Sequence, residues 1–445
     1  MSLRYAATVP ALIALVSYAA TPAAFSADVS WPEFRGPGGQ GIVDEPAPLT
    51  WSETENIVWK TAIPGRGWSS PVVLGDRVWM TTAVEEAATA EEAKSKVQGG
   101  TKDASLAKRL WLYAVCVDRK SGKLLRNIEL FEINEPEAIH ALNSYASPTP
   151  IIEPGRLYCW FGSYGTCALD TDSGDVLWRG REKLQHYVGP GSSPVAWGDL
   201  LILTCDGADT QYVTAVRKSD GERVWKTKRP PLVATNPDVR KSYATPLTIS
   251  VGGEDQVVVP GAEWLVSYNP ATGEELWRVN HGAGFSVVPR PVERDGVLYY
   301  ATGFADDQVF AVRTDGHDDV TATHIVWRAK RQAPHMASPL LVGDAVITVS
   351  DQGIAVGLDG ATGKQLWKKR IGGGQSASPL LAAGRVYLFG QDGRTTVLDA
   401  EEPAGQPIAV NELEGQIMAT PAVVAGQMLL RTDSALYCIG AEDRR

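Results

Sequence analysis

Hydrophobic positions along this chain come in short runs of four to six residues, and each run is closed by a turn signal. Leu74-Gly75-Asp76 is followed by Arg77-Val78-Trp79-Met80, and Val342-Gly343-Asp344 stands before a similar run. Arg385-Val386-Tyr387-Leu388 repeats the same polar-to-apolar step. A further run then ends in Leu-Asp, at Leu169-Asp170, Leu358-Asp359 and Leu398-Asp399. A glycine turn comes next, at Ser121-Gly122, Ser173-Gly174, Asp220-Gly221, Thr272-Gly273 and Thr362-Gly363. The last run of each set carries a tryptophan: Trp178, Trp225, Trp277, Trp327 or Trp367. Runs this short, bounded by Gly, Asp and Asn, predict antiparallel strands joined by hairpins rather than helices.

The runs are grouped by a small residue, a Ser or Thr, and a Pro. Seven units read Ser69-Ser70-Pro71, Ala146-Ser147-Pro148, Ser192-Ser193-Pro194, Ala244-Thr245-Pro246, Ala337-Ser338-Pro339, Ala377-Ser378-Pro379 and Ala419-Thr420-Pro421. The eighth, Pro289-Arg290-Pro291, is degenerate. The spacing is about 45 residues, the period of a propeller blade. Proline at the first position of a strand forfeits no ladder bond and holds the preceding Ser or Thr extended. The turn glycine supplies positive φ, and the Asp before it can accept a turn N–H. A large aromatic in the fourth strand can pack between neighbouring sheets.

The predicted fold is therefore all-β: an eight-bladed β-propeller of four-stranded antiparallel blades. The unit after Pro421 has no Trp strand, while Asn56-Ile57-Val58-Trp59-Lys60-Thr61 is a Trp strand with no unit before it. The N-terminal strand is thus expected to join the last blade and close the ring. The propeller spans 57–445, behind a leader segment at 28–56. The first unit is about 30 residues longer than the others, which places an insertion at about 85–108. Its Ala, Glu and Lys favour helix, and its Gly99-Gly100 pair equally fits a loop.

The first 27 residues read as a signal peptide: Arg4, an apolar stretch from Ala6 to Ala20, then small residues from Ala23 to Ala27. No Cys lies nearby to form a lipobox, so a periplasmic or secreted protein without a stable membrane anchor is expected. Removing that segment takes away one of 42 basic residues and leaves 52 acidic ones, a net charge of −11. This balance argues against a nucleic-acid partner. The five Cys (116, 159, 167, 205 and 438) contain no C-x-x-C pair. Cys159 and Cys167 flank the turn at Gly162–Gly165. A disulfide and a pair of buried thiols both suit that arrangement.

The repeated Asp170-x-x-Ser173-Gly174-x-x-x-Trp178 and Asp359-x-x-Thr362-Gly363-x-x-x-Trp367 resemble the pyrroloquinoline-quinone (PQQ) repeat family. The Trp-Asp ending of the otherwise similar WD repeat is missing. The leader Trp31-Pro32-x-Phe34-Arg35-Gly36-Pro37 is similar to that of exported bacterial PQQ-like propellers. The resemblance implies one of two roles. One branch consists of quinoprotein dehydrogenases that oxidise alcohols or sugars with PQQ and calcium. The other includes the propeller scaffold of the outer-membrane barrel-assembly machinery, which binds partners and catalyses nothing. The adjacent-Cys pair of the alcohol-oxidising branch is absent, and no C-x-x-C-H is present. No catalytic residue, metal ligand or cofactor is assigned.

The segments just before each Pro converge on one face in a propeller. Three residues before the Pro stand Trp68, Tyr145, Gly191, Tyr243, Val288, Met336, Ser376 and Met418. His335 and Gln375 stand one residue further back, and Arg66, Asn143, Lys241 and Gln416 lie two further back. Aromatic and Arg enrichment is typical of binding hot spots. The candidate ligand site is therefore a funnel on this face, with Trp68, Tyr145 and Tyr243 as platforms, Arg290 as an anchor, and His335 and Gln375 at its edge. Plugging of the channel by these rings, with Arg290 paired to a carboxylate, is the competing structural reading. His140, His186 and His281 also fall in these segments, as loop residues or as metal ligands. The sequence reading is a monomeric, non-catalytic interaction propeller for a protein. A PQQ-dependent dehydrogenase and a polysaccharide-binding propeller are its alternatives.

Overall fold

A computed structural model describes residues 29–89, 91–92, 104–330 and 333–441. The signal-peptide segment 1–27 and residues 90 and 93–103 of the insertion lie outside the described residues. The described chain folds into eight small antiparallel sheets, taken in order from 72–134, 151–180, 195–228, 247–280, 292–330, 340–370, 380–412, and 422–439 with 57–62. Each is built on four antiparallel strands, as in the second blade: Ile151–Glu153, Arg156–Trp160, Thr166–Asp170 and Val176–Gly180; the first, fourth and seventh sheets gain a fifth, two-residue strand, in the fourth Asp318–Asp319. First strands of neighbouring blades touch one another, which puts them innermost around the axis. The second and third strands are buried almost throughout, whereas fourth strands such as Arg223–Lys228 keep only alternate residues inside.

The ring closes as the sequence predicts. Ile57–Ala62 pairs antiparallel with Ala435–Ile439, from Ile57 opposite Ile439 to Ala62 opposite Ala435, with one bulge between Ile57 and Trp59. The insertion lengthens the hairpin between the second and third strands of the first blade. Those two strands, Arg77–Ala87 and Ala107–Asp118, run to 11 and 12 residues, against five in each middle strand of the second blade. Residues 85–87 and 107–108 are thus strand, where helix or loop was expected. Ala104–Ser105 adds a small bridge to Ile139–His140.

Trp59, Trp178, Trp225 and Trp327 each form one contact with the next blade's turn glycine, whereas Trp277 donates to Gln256 and Trp367 packs on Gly357, both in their own blades. Trp178 of the second blade lies against Gly221 in the third blade's turn, where an added Cβ would come within 2.5 Å of the indole. Its Nε1 donates to the Lys218 carbonyl of that turn at 2.8 Å. Trp225 on Gly273, Trp327 on Gly363 and Trp59 on Gly122 repeat the packing, with indole donation to Pro270, Gly360 and Arg119 carbonyls at 2.8–2.9 Å. In the first blade Arg126 stands in for the Trp and reaches the turn carbonyls of Asp172 and Ser173. The turn Asp also behaves as expected: Asp359 Oδ1 accepts from the Thr362 N–H at 2.8 Å.

One unit is registered differently from its sequence reading. The second blade begins at Ile151, directly after Pro150, so Thr149-Pro150 is its Ser/Thr-Pro pair and Ser147-Pro148 lies two residues upstream. The adjoining Ser-Pro-Thr-Pro offers two identical signals, and only the register of the sheet chooses between them.

The leader also takes a defined path. Ser30–Trp31 pairs with the first blade's innermost strand, and Ile42–Val43 pairs in parallel with the seventh's. Trp51 N–H then donates to Asn411 Oδ1 at 2.8 Å before the chain enters the eighth blade. Trp31 and Trp51 are 1% and 3% exposed, so the leader belongs to the core.

Replacing Gly221 by Ala is expected to cost at least about 1 kcal/mol, because it meets both a positive φ of 74° and the Trp178 ring. Trp178→Ala is expected to cost about 3–5 kcal/mol. In urea unfolding the double variant should depart from additivity by about 0.5–3 kcal/mol; strict additivity would show that the two residues do not act as one contact.

Candidate functional site

The Ser and Thr residues before each strand-opening Pro form a belt around the axis. Ser70 N–H donates to Thr149 Oγ1, Thr149 N–H to Ser193 Oγ, and Ser193 N–H to Thr245 Oγ1, at 2.9–3.0 Å. The sequence resumes from Arg290 N–H to Ser338 Oγ, on to Ser378 Oγ and then to Thr420 Oγ1. Each hydroxyl satisfies a buried N–H that the first strand cannot pair within its own sheet. This is why the position takes Ser or Thr and not another small residue.

Above the belt lies a funnel of about 720 Å³, within the range of small-ligand pockets. Its walls come from the connections that enter each blade and include Trp68, Tyr243, Phe285, Phe304, Met336 and Met418. The belt hydroxyls form its lower ring, and Phe34 of the leader also lines it. Trp68 is half-buried, held by Nε1 donation to the Leu142 carbonyl at 3.0 Å and by the Arg66 guanidinium 5.3 Å from its ring. Tyr243 is fixed by donation to the His186 carbonyl at 2.6 Å. Lys241 also lines the funnel; its ammonium meets the Asp238 carboxylate and carbonyl, and burial lowers its pKa.

Of the six residues singled out from sequence, the structure brings Trp68 and Tyr243 to the funnel wall. Tyr145 is fully buried, packed edge-on against Tyr164 at 5.6 Å, with its hydroxyl donating to the Glu137 carbonyl. The two-residue register difference removes it from the equivalent position. Arg290 is 1% exposed and does not anchor a ligand at the mouth. It replaces a belt hydroxyl, and its guanidinium turns to the leader: Nη1 donates to Phe34 O at 2.7 Å and Nη2 to Glu33 at 2.9 Å, while Nε donates to Pro246 O. The degenerate unit is thus the one that fastens the leader. Gln375 is 3% exposed and donates to Gly373 O, away from the cavity.

His335 sits behind the wall, stacked on Phe304 with ring centroids 4.1 Å apart. Nδ1 lies 2.6 Å from Asp351 and Nε2 2.9 Å from Asp307, and these two carboxylates raise its pKa to about 9. His335 is therefore an imidazolium at neutral pH that orients one aromatic wall of the funnel. His186 and His281 are buried, one accepting from Ser163 N–H and the other bonded to Gly261 O. Burial drives both to about 4. No group of three His, Cys, Asp or Glu among the described residues is arranged to hold a metal. Cys159 and Cys167 face each other across one hairpin as buried thiols.

Sequence reasoning missed Phe34, Phe285 and Phe304. Phe285 and Phe304 bridge two connections that carry no repeat signal. Phe34 arrives from the leader, whose path no periodicity reveals.

A family model described as outer membrane protein assembly factor BamB matches residues 112–234 and 319–404. A curated protein named outer membrane protein assembly factor BamB, from Burkholderia pseudomallei, is 29% identical over 116 residues; the match spans 24% of this chain and only 28% of that protein. The crystal structure of BamB from Moraxella catarrhalis superposes with a TM-score of 0.51 at 14% identity, covering 81% of this chain and 99% of that one. A europium-containing methanol dehydrogenase superposes with a TM-score of 0.60 at 10% identity, covering 92% and 90%. At such identities the structural likeness speaks for the fold alone. The resemblance to PQQ-like propellers is borne out in sequence and in fold.

The histidines set a pH profile. The folded protein holds His335 at about 9, above the ordinary imidazole value of 6.5. Its contribution is complete below about pH 6.5 and is lost as pH rises through about 9. His186 and His281, at about 4, act in the opposite limb. The unfolded chain takes up their protons first, so stability falls as pH drops from about 6.5 towards 4. Urea midpoints measured from pH 4 to 10 should show both limbs, and His335→Gln should flatten only the alkaline one.

Proposed function

We propose that this chain is an exported, non-catalytic propeller scaffold that binds a protein segment by seating its apolar side chains in the axial funnel. The observation that carries this reading is the funnel itself: about 720 Å³, walled by aromatic and Met side chains. Apolar concavities with a few fixed polar groups are where proteins capture anchoring residues. The matched family, named for outer membrane protein assembly, supports a partner-binding role and a periplasmic or secreted location.

The residues present do not fit a PQQ and calcium site. No two Cys are adjacent, no metal-holding cluster occurs among the described residues, and the buried charges beneath the floor are the guanidiniums of Arg35 and Arg290.

Panning a phage-displayed peptide library against the mature chain should enrich aromatic-containing peptides. Calorimetry should then show at least about tenfold weaker binding for Trp68→Ala and Phe304→Ala, about 1.4 kcal/mol each, with normal melting curves. A chain that captures polysaccharides on a glycan array but no peptide would overturn the protein-ligand reading. Dye reduction with alcohols or sugars after PQQ and calcium addition would overturn the non-catalytic one.

A further inference from the structure

The polar groups of the funnel are unevenly divided between donors and acceptors. Ser70, Thr149, Ser193, Thr245, Ser378 and Thr420 form its lower ring. The oxygens of Thr149, Ser193, Thr245, Ser378 and Thr420 each accept a backbone N–H from the preceding belt position. A hydroxyl also has a proton of its own to give, and none of these five gives it to a protein acceptor among the described residues. All five are free to turn toward the axis. The two carboxylates in the wall do not take these protons: Asp238 is paired with Lys241, and Asp351 with His335.

The charge below the ring has a sign as well. Arg290 takes the belt position after Thr245, and its Nε donates to Pro246 O at 2.9 Å. Together with Arg35 it faces a single carboxylate, Glu33, so two cations stand against one anion beneath the floor. A buried net charge is weakly screened and acts across the floor. The funnel is also blind. The leader crosses beneath it, tied to Arg290 through Glu33 and Phe34, and Phe34 lines the cavity. A chain that enters must end there or turn back within about 720 Å³.

We propose that the funnel captures the C-terminus of its partner, with the terminal carboxylate on the Ser193 and Thr245 hydroxyls and the last side chain, an apolar one, against Phe285, Phe304 and Met336. This inference rests on the protein-segment reading of the funnel and specifies which part of the segment enters. Hydrogen bonds to a carboxylate are roughly twice as strong as those to a neutral group, so a free acid is favoured over its amide.

The test uses short synthetic peptides ending in Leu, Phe or Trp, each made as the free acid and as the C-terminal amide, titrated into the mature chain by calorimetry. The acids should bind at least about tenfold more tightly than the amides. The Ser193→Ala, Thr245→Val double variant should bring acid and amide to equal affinity, with the amides unaffected; an acid preference undiminished in that variant overturns the placement. Should the variant fail to fold, the ratio on the unaltered chain decides alone. Equal binding of acids and amides by the unaltered chain overturns the inference and leaves the protein-segment reading standing. Peptides that carry the same side chains only at interior positions, and bind as tightly as the acids, overturn it too. Failure of every peptide to bind would remove both readings.

Discussion

A four-stranded blade of this chain is apolar on both faces, and no blade can bury either face by itself. Each must be covered by the blade before and the blade after, so the sheets are stable only as a closed circle. That single demand accounts for the strand at Ile57–Ala62, which completes a sheet that starts only at Ala422. It also accounts for the Trp-on-Gly contact. An indole that reaches across to the next blade's turn needs a turn residue without a Cβ, and its N–H finds the carbonyl which that turn leaves free. The glycine thus serves its own backbone and its neighbour's side chain together.

The same circularity creates the site. Eight innermost strands converge with N–H groups that no sheet partner satisfies, and the hydroxyl belt resolves most of them by passing hydrogen bonds from blade to blade. Where the belt is broken at Arg290, the gap serves another purpose. The long side chain reaches under the funnel and ties down a leader that would otherwise have no reason to cross the axis. The floor of the funnel therefore depends on a departure from the repeat, not on the repeat.

How much of this was legible follows from how each feature is encoded. The strand order, the blade count and the Trp position are written several times over in local patterns, and repetition makes such a pattern secure. The funnel was located by the same logic, and Trp68 and Tyr243 were found with it. Tyr145 was misplaced because Ser147-Pro148-Thr149-Pro150 contains the start signal twice. Arg290 looked like an exposed anchor because a lone charge in an apolar repeat carries no mark of its partner. Glu33 lies about 250 positions away in the sequence, and only the folded leader brings the two together.

The amino-acid sequence by itself determined that this chain is a ring of eight like sheets closed end to end. Periodic strands, turns and prolines act over a few residues and need no distant partner to be read. Tertiary structure alone decided which aromatic rings face the funnel, what lies beneath its floor, and that His335 is held charged between Asp351 and Asp307. Those outcomes depend on contacts between segments far apart in the chain, where burial and electrostatics are set by whatever the closed ring brings alongside.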